Sequence, residues 1–171
     1  GVTIEEASPE GFAEEFHSHL AEVFSKQGLV PTFSLKRVQT LIDHVYPSGS
    51  LLLLRARAPD GQSIASGIFP GFGHYSTFWG NGSVQSMLHL RPNQVIHWYA
   101  MRYWKARGVT MHDWGGTGSY KKNYGPVDYT YFRQFKSALP LLDRVRGPAL
   151  RSYKKIRAWR SRRLAGQEMV K

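Results

Sequence analysis

Of the 171 residues, those from about 74 to 114 most limit what this chain can fold into, because a strand, a helix and a second strand must follow one another there. His74 to Gly80 alternates, with Tyr75, Thr77 and Trp79 on one face. Gly80-Asn81-Gly82-Ser83 then opens a loop that ends at Pro92, a favourable first-turn residue. Val95, Ile96, Tyr99, Ala100 and Tyr103 mark a helix over 93–107, which also carries Trp98 and Trp104 and is stopped by Gly108. Val109 to Trp114 is a short strand, and a strand–helix–strand order sets it parallel to a neighbour in the sheet.

The chain before this unit changes its hydrophobic period twice. A short opening strand is expected around Val2 to Ile4. Ser8-Pro9-Glu10 reads as a helix start, and Phe12, Phe16, Leu20, Val23 and Phe24 recur at helical spacing, giving a helix over about 9–26 that ends at Gly28. Ser34 caps a second helix with the apolar face Leu35, Val38, Leu41, Ile42 and Val45, which Pro47 and Gly49 end. Ser50 to Ala58 and Gln62 to Phe69 then form a hairpin around Pro59-Asp60-Gly61, and Pro70-Gly71-Phe72-Gly73 is read as the next turn. An aromatic-rich strand is expected over Asp128 to Phe135. The result is an α+β domain with a mixed, mostly antiparallel sheet flanked by helices, over residues 1–143. A basic amphipathic C-terminal helix and tail follow over 144–171.

Several kinds of chemistry are excluded. The chain has no cysteine, so thiol nucleophiles, disulfides and cysteine-ligated metals are out. No phosphate-cradling G-x-x-x-x-G-K-[ST], no G-x-G-x-x-G and no G-x-S-x-G pattern is present. His17 and His19 are two apart on a helix, point to different faces and cannot chelate one metal; they read as surface or boundary histidines. No metal site is expected. The longest aliphatic run, Leu51–Leu54, is too short to cross a bilayer, and no secretory leader opens the sequence, so a cytoplasmic location is expected.

The net charge of +11 is unevenly spread. Residues 1–60 carry 5 basic and 8 acidic side chains, whereas 61–171 carry 18 and 4. That asymmetry points to a polyanionic partner: nucleic acid, a nucleotide-bearing substrate or an anionic membrane.

The stretch from Leu90 to Leu139 carries the chemistry. Leu90-Arg91-Pro92 leads into the helix, and the strand ends His112-Asp113-Trp114-Gly115-Gly116. A carboxylate beside two glycines at a strand end can hold a polar, partly anionic group on backbone N–H groups, or Asp113 can cap its own turn; the residues leave both open. Alternation puts His112 and Asp113 on opposite faces, so one of them faces a cleft, and Asp113 is favoured. The loop that follows interleaves Tyr120, Lys121, Lys122 and Tyr124, cations with aromatics that suit a phosphorylated or nucleotide-bearing ligand or pack as a solvated loop. A tyrosine there could reprotonate a leaving group, with Asp113 or His112 as base.

The ordered set Pro92, helix, Gly108, strand ending Asp113-Trp114-Gly115-Gly116, variable loop, Phe135-Lys136 resembles FemAB-like and BioF2-like acyltransferase domains. These are built on the GCN5-related N-acetyltransferase (GNAT) fold, and the likeness covers about residues 1–140. It implies transfer of an acyl or aminoacyl group from acyl-CoA or aminoacyl-tRNA to an amine or hydroxyl of a cell-envelope precursor in a peptidoglycan, polysaccharide or lipid-linked pathway. The donor is a co-substrate, with no cofactor tightly bound. It would enter where the sheet opens between His74–Gly80 and Val109–Trp114, a cleft lined by Tyr75 and Trp79. Lys136 would stabilise the oxyanion, Asp113 would position or deprotonate the acceptor, and Gly115, Gly116, Tyr120, Lys121, Lys122 and Phe135 would contact donor or substrate. This chain departs from the family in following Phe135-Lys136 with Ser137-Ala138-Leu139, in holding one copy of a domain that usually comes in tandem, and in lacking the coiled-coil arm of some tRNA-using members. A second such domain, or a dimer partner, is therefore an implied companion.

Residues 144–163 hold nine Arg or Lys and no acid, with Leu150, Tyr153, Ile156, Trp159 and Leu164 at helical spacing. That helix can dock its apolar stripe on the domain, contact RNA phosphates, or lie peripherally on an anionic membrane. A second reading of the whole chain keeps the fold without catalysis: a GNAT-like docking module that holds tRNA or an anionic membrane surface.

Overall fold

Leu51–Leu54 is apolar at every position because its strand is covered on both faces. In the computed structural model, which describes residues 1–26, 28–116, 118–130, 132, 145–149, 151–153 and 156, the described residues form one six-stranded sheet. Its strands are β1 (Thr3–Glu6), β2 (Leu51–Arg57), β3 (Ser63–Phe72), β4 (Tyr75–Thr77), β5 (Gly80–Ser83) and β6 (Met111–Asp113). The helices are α1 (Phe12–Ser25), α2 (Leu35–Val45) and α3 (Pro92–Ala106). The order across the sheet is β1-β2-β3-β4-β6, and β5 also pairs with β3. All pairs are antiparallel except β4 with β6, which is parallel as the crossover through α3 requires.

One face of the sheet, through Leu51, Leu53 and Ile68, packs on Phe12, Phe16 and Leu20 of α1 and Val38 and Ile42 of α2. The other, through Leu52, Leu54, Ile64 and Phe69, packs on Ile96, Ala100 and Trp104 of α3. Each fully buried Leu, Ile or Phe contributes about 1.5–3 kcal/mol relative to exposure, so the two layers together hold the sheet. The acid-rich N-terminal part is structural: Arg55 bonds Glu5 at 2.6 Å and Glu15 at 2.6 Å, and Arg57 bonds Glu5 at 2.6 Å. Burial pushes the Glu15 carboxyl up, but the bonds from Arg55 and Ser63 outweigh it and leave Glu15 below its usual range.

Several expected boundaries move. α1 starts at Phe12 rather than 9, because Gly11 takes a left-handed conformation (φ 68) and Pro9 O accepts from Phe12 N in a preceding turn. Ser34 caps α2 as expected, its side chain accepting from Arg37 N at 3.3 Å. Pro70-Gly71 is not a turn: β3 runs on to Phe72. A proline inside a central strand normally removes a ladder bond. Here Gly71 N donates to Ser50 O, so alternation turns the Pro70 position toward the other neighbour, where no bond is lost because that neighbour is broken. Gly80-Asn81-Gly82-Ser83 is not a loop but β5, and Asn81 is thereby a strand residue. Gly82 is required there: a Cβ would lie 2.5 Å from Leu20 N and 2.6 Å from His19 C, on the backbone of α1. His19 is no surface residue; it is buried, with Nδ1 2.9 Å from Ser66 Oγ. On α3, Val95 faces solvent, and His97 and Trp104 join Ile96 and Ala100 on the buried side.

Residues 1–116 and 117–171 form separate units. In the second, Ser119–Tyr124 is a 3-10 turn, and 145–149 and 151–153 are helical. Asp128 to Thr130 is not strand, and the rest of the aromatic strand expected there lies outside the described residues apart from Phe132, which is not strand either.

Candidate functional site

The sheet opens at one place, and local sequence explains why. β4 and β6 run side by side with Tyr75 opposite Met111, Ser76 opposite His112 and Thr77 opposite Asp113. Phe78 N donates to Asp113 O at 2.8 Å, and then the two chains part. Trp79 N turns instead to Ile68 O at 3.1 Å, and β5 continues along β3. From Ile68 to Gly71 β3 advances three residues, whereas its partner covers four from Gly80 back to Ser76, so one residue is extra and the strand bulges at Phe78-Trp79. On the other side Gly115 (φ 56) and Gly116 (φ 38) turn the chain away in conformations that favour glycine.

β5 is therefore paired on one edge only among the described residues. Val84 N donates to Ile64 O, so alternation directs the backbone of Gly80, Gly82 and Val84 to β3 and that of Asn81 and Ser83 to the open edge. α3 begins beside this edge. Asn81 Nδ2 donates to Asn93 Oδ1 at 2.9 Å, and Asn93 Nδ2 donates to Ser83 Oγ at 3.3 Å, tying the first turn of α3 to β5.

The two faces of the opening differ. Toward α3 lies a layer of rings: Phe78 and His97 (4.6 Å between centroids), His97 and Trp114 (4.7 Å), His112 and Trp114 (5.6 Å), and Phe69 against His97 (5.5 Å). His112 Nδ1 lies 2.8 Å from Ser76 Oγ, and burial pushes its imidazole down to about 4, against a slight upward pull from Asp113. The ring is neutral in the folded chain. Toward α1 and α2, Trp79 stacks on Phe33 (4.0 Å) and meets Phe16 (6.0 Å).

That buried imidazole makes stability acid-sensitive. A histidine whose folded pKa is depressed lets the unfolded chain take up a proton that the folded chain refuses, so its stabilisation is complete above about 6.5 and is lost as pH falls toward 4. The loss is about 3 kcal/mol. His19, lowered by burial, acts in the same direction. Denaturant midpoints measured across this window should fall in the native chain and fall less in His112→Phe; parallel curves for the two would refute the assignment.

The residues singled out in the sequence fall into three groups. Tyr75 and Asp113 meet: Tyr75 Oη donates to Asp113 Oδ2 at 2.6 Å, while Gly115 N donates to Asp113 Oδ1 at 2.6 Å. Asp113 thereby caps its own turn through Gly115 N. Trp79 shares the Tyr75 face but is packed into the aromatic cluster of α1 and Phe33. Tyr120, Lys121 and Lys122 belong to the second unit, where Lys121 Nζ lies 5.8 Å over the Tyr120 ring and burial raises the Tyr120 phenol. Phe135 and Lys136 lie outside the described residues. No group of three or more metal-ligating side chains occurs among the described residues. Sequence reasoning did not find His97, Asn93 or the open edge at Asn81 and Ser83.

A family profile described as an acetyltransferase (GNAT) domain matches residues 1–136. No curated protein matches the chain in sequence. Among solved structures, FemX aligns with a TM-score of 0.62 at 14% identity over 68% of this chain, which spans 45% of the FemX chain. A predicted acetyltransferase with acetyl-CoA from Clostridium acetobutylicum aligns with a TM-score of 0.63 at 12% identity, over 80% of this chain and 96% of that one. An aminoglycoside antibiotic 6'-N-acetyltransferase from Acinetobacter baumannii aligns with a TM-score of 0.54 at 13% identity, over 81% of this chain and 99% of that one.

Proposed function

The chain belongs to the acetyltransferase (GNAT) domain family, and from that premise we propose that it is an acyltransferase domain that takes its acyl donor into the opening beside β5. One observation carries this reading: the bulge at Phe78-Trp79 and the turn at Gly115-Gly116 leave the backbone of Asn81 and Ser83 on an edge inside the sheet that no described strand pairs. Unpaired strand edges are normally covered or charged, and one held open next to a helix start is suited to an extended ligand with amide groups.

The donor is acyl-CoA or aminoacyl-tRNA. Acetyl-CoA accompanies the Clostridium structure and a GNAT family acetyltransferase from Brucella melitensis, and the aminoacyl branch rests on the FemAB-like motif set of Pro92 to Lys136. The acceptor is an amine or hydroxyl of a cell-envelope precursor, as the FemAB-like motif set implies. The acceptor's lone pair attacks the donor carbonyl while Asp113 holds the lip of the opening that positions it, and the acceptor's proton leaves to solvent. The tetrahedral oxyanion then collapses, releasing the CoA thiolate or, with uptake of a proton from solvent, the tRNA hydroxyl. Lys136 stabilises that oxyanion, and the ring layer of Phe78, His97 and Trp114 keeps water from the acyl group. Tyr75, Gly115 and Gly116 shape the mouth, while Tyr120, Lys121, Lys122 and Phe135 contact the phosphate-bearing end. The cations of 144–163 meet an anionic surface, RNA or membrane; no helix among the described residues is long and apolar enough to cross a membrane. FemX is longer than this chain, which makes a second domain or dimer partner part of the same proposal.

Lys136→Ala tests the catalytic assignment. Removing a single oxyanion donor lowers turnover about 100- to 1000-fold. The rate should fall by that much with little change in donor affinity, while a normally folded variant with full transfer activity would remove Lys136 from the mechanism.

A further inference from the structure

The outer face of α3 and its N-cap carry a stripe of exposed apolar and basic side chains. Arg91, Val95, Trp98, Arg102 and Lys105 are all exposed and follow one another at intervals of four, three, four and three residues. At 3.6 residues per turn that places them in one narrow stripe about 21 Å long, opposite the buried stripe of Ile96, His97, Ala100 and Trp104. Trp98 sits at its centre, 58% exposed, with Val95 beside it at 36%. Leu88, also exposed, lies in the 3-10 turn just before Arg91.

The charges on this face are of one sign. The sequence has no Asp or Glu from Gly61 to His112, so α3 and the turn before it are free of acid. Among the described residues, Arg91, Arg102 and Lys105 take part in no ion pair. The contrast with Arg107, which lies 3.5 Å over the Tyr103 ring, and with Tyr99, which donates to Glu6, shows that the flanks of the helix are used internally. The stripe is not.

We propose that this stripe docks the domain on an anionic lipid bilayer, with α3 lying in the plane of the headgroups. A tryptophan and a valine between cations fit the boundary between acyl chains and lipid phosphates, where an amphipathic helix gains from apolar insertion and charge together. A nucleic acid would meet the same cations, but a single exposed tryptophan on the convex face of a helix offers neither a groove nor a row of stacking platforms. The inference stands apart from the acyl-transfer reading and from residues 144–163, since it rests on α3 and the turn that leads into it.

Co-sedimentation of the full chain with phosphatidylcholine vesicles, with and without phosphatidylglycerol, tests it. Three proteins are compared: the native chain, Trp98→Gln, and Arg102→Glu with Lys105→Glu, each confirmed as folded by its melting curve. All changed residues are exposed, so folding should be unaffected. Binding should need phosphatidylglycerol, and each variant should lose about tenfold or more in partitioning. Binding that is equal in all three proteins would assign it to the basic tail and overturn the proposal. So would binding of polyuridylate but not of vesicles, or loss of self-association in the variants without any change in vesicle binding.

Discussion

Asp113→Ala should lower acyl transfer about 100-fold, whereas Asp113→Asn should lower it less than about tenfold. Both carboxylate oxygens are already engaged, one by Tyr75 Oη and one by Gly115 N, each at 2.6 Å. Such charge-assisted bonds fix the direction in which the chain leaves β6, and with it one lip of the opening. Alanine removes the shared acceptor of two elements at once, and a displacement of about 1 Å at a reacting centre can cost 100-fold. The stability cost is about 2 kcal/mol. Asparagine keeps an oxygen for Gly115 N and a group of the same size for Tyr75, so a positioning carboxylate tolerates it. Rates for the two variants, measured with saturating donor, separate the roles. A loss in Asn equal to that in Ala would make Asp113 a proton acceptor instead.

The largest structural effect should come from Gly82→Ala. Its Cβ would lie 2.5–2.7 Å from Leu20 N, His19 C and His19 Cβ, and two of these three atoms are backbone in the middle of α1. A rotamer change cannot relieve that contact; α1 must move off β5, parting Phe16 and Leu20 from the core they share with Ile68. Overpacking commonly costs 1–3 kcal/mol, and a clash against backbone belongs at the upper end, about 3 kcal/mol or more. For a chain of this length that is a fall in Tm of roughly 6–12 °C. Gly80→Ala is the control, since its Cβ would meet only Phe16 and Phe33 ring atoms at 3.4–3.5 Å. Equal melting temperatures for Gly82→Ala and the native chain would mean that α1 and β5 are not in close contact.

The elements that could be read from sequence are those whose signal is a change of period. Phe12, Phe16 and Leu20 turn over at helical spacing, Leu51–Leu54 marks a strand covered on both faces, and a strand–helix–strand order leads to the parallel β4–β6 pair. What could not be read depends on neighbours distant in sequence. Gly80-Asn81-Gly82-Ser83 has the composition of a turn, and only the close approach of α1 makes a small-residue strand the better structure. Pro70 looks like a break in β3, whereas the break lies opposite it, at Phe78-Trp79. On α3, Val95-Ile96-Tyr99 and Ile96-His97-Ala100 are both helical stripes; the difference is a rotation of one residue, about 100°, and the aromatic layer of Phe69, Phe78 and Trp114 selects His97. Tyr75 and Asp113 could each be singled out, but their bond depends on a parallel register that no local signal contains.

The central claim is that the unpaired edge of β5 receives the donor. Amide hydrogen exchange on the full chain, with acetyl-CoA and then aminoacyl-tRNA added, tests it directly. A donor lying along the opening should slow exchange at Asn81 and Ser83 and at the departing segment Trp114–Gly116, leaving β1 and β2 unchanged. Protection confined to other elements, or no protection with either donor, would contradict the account.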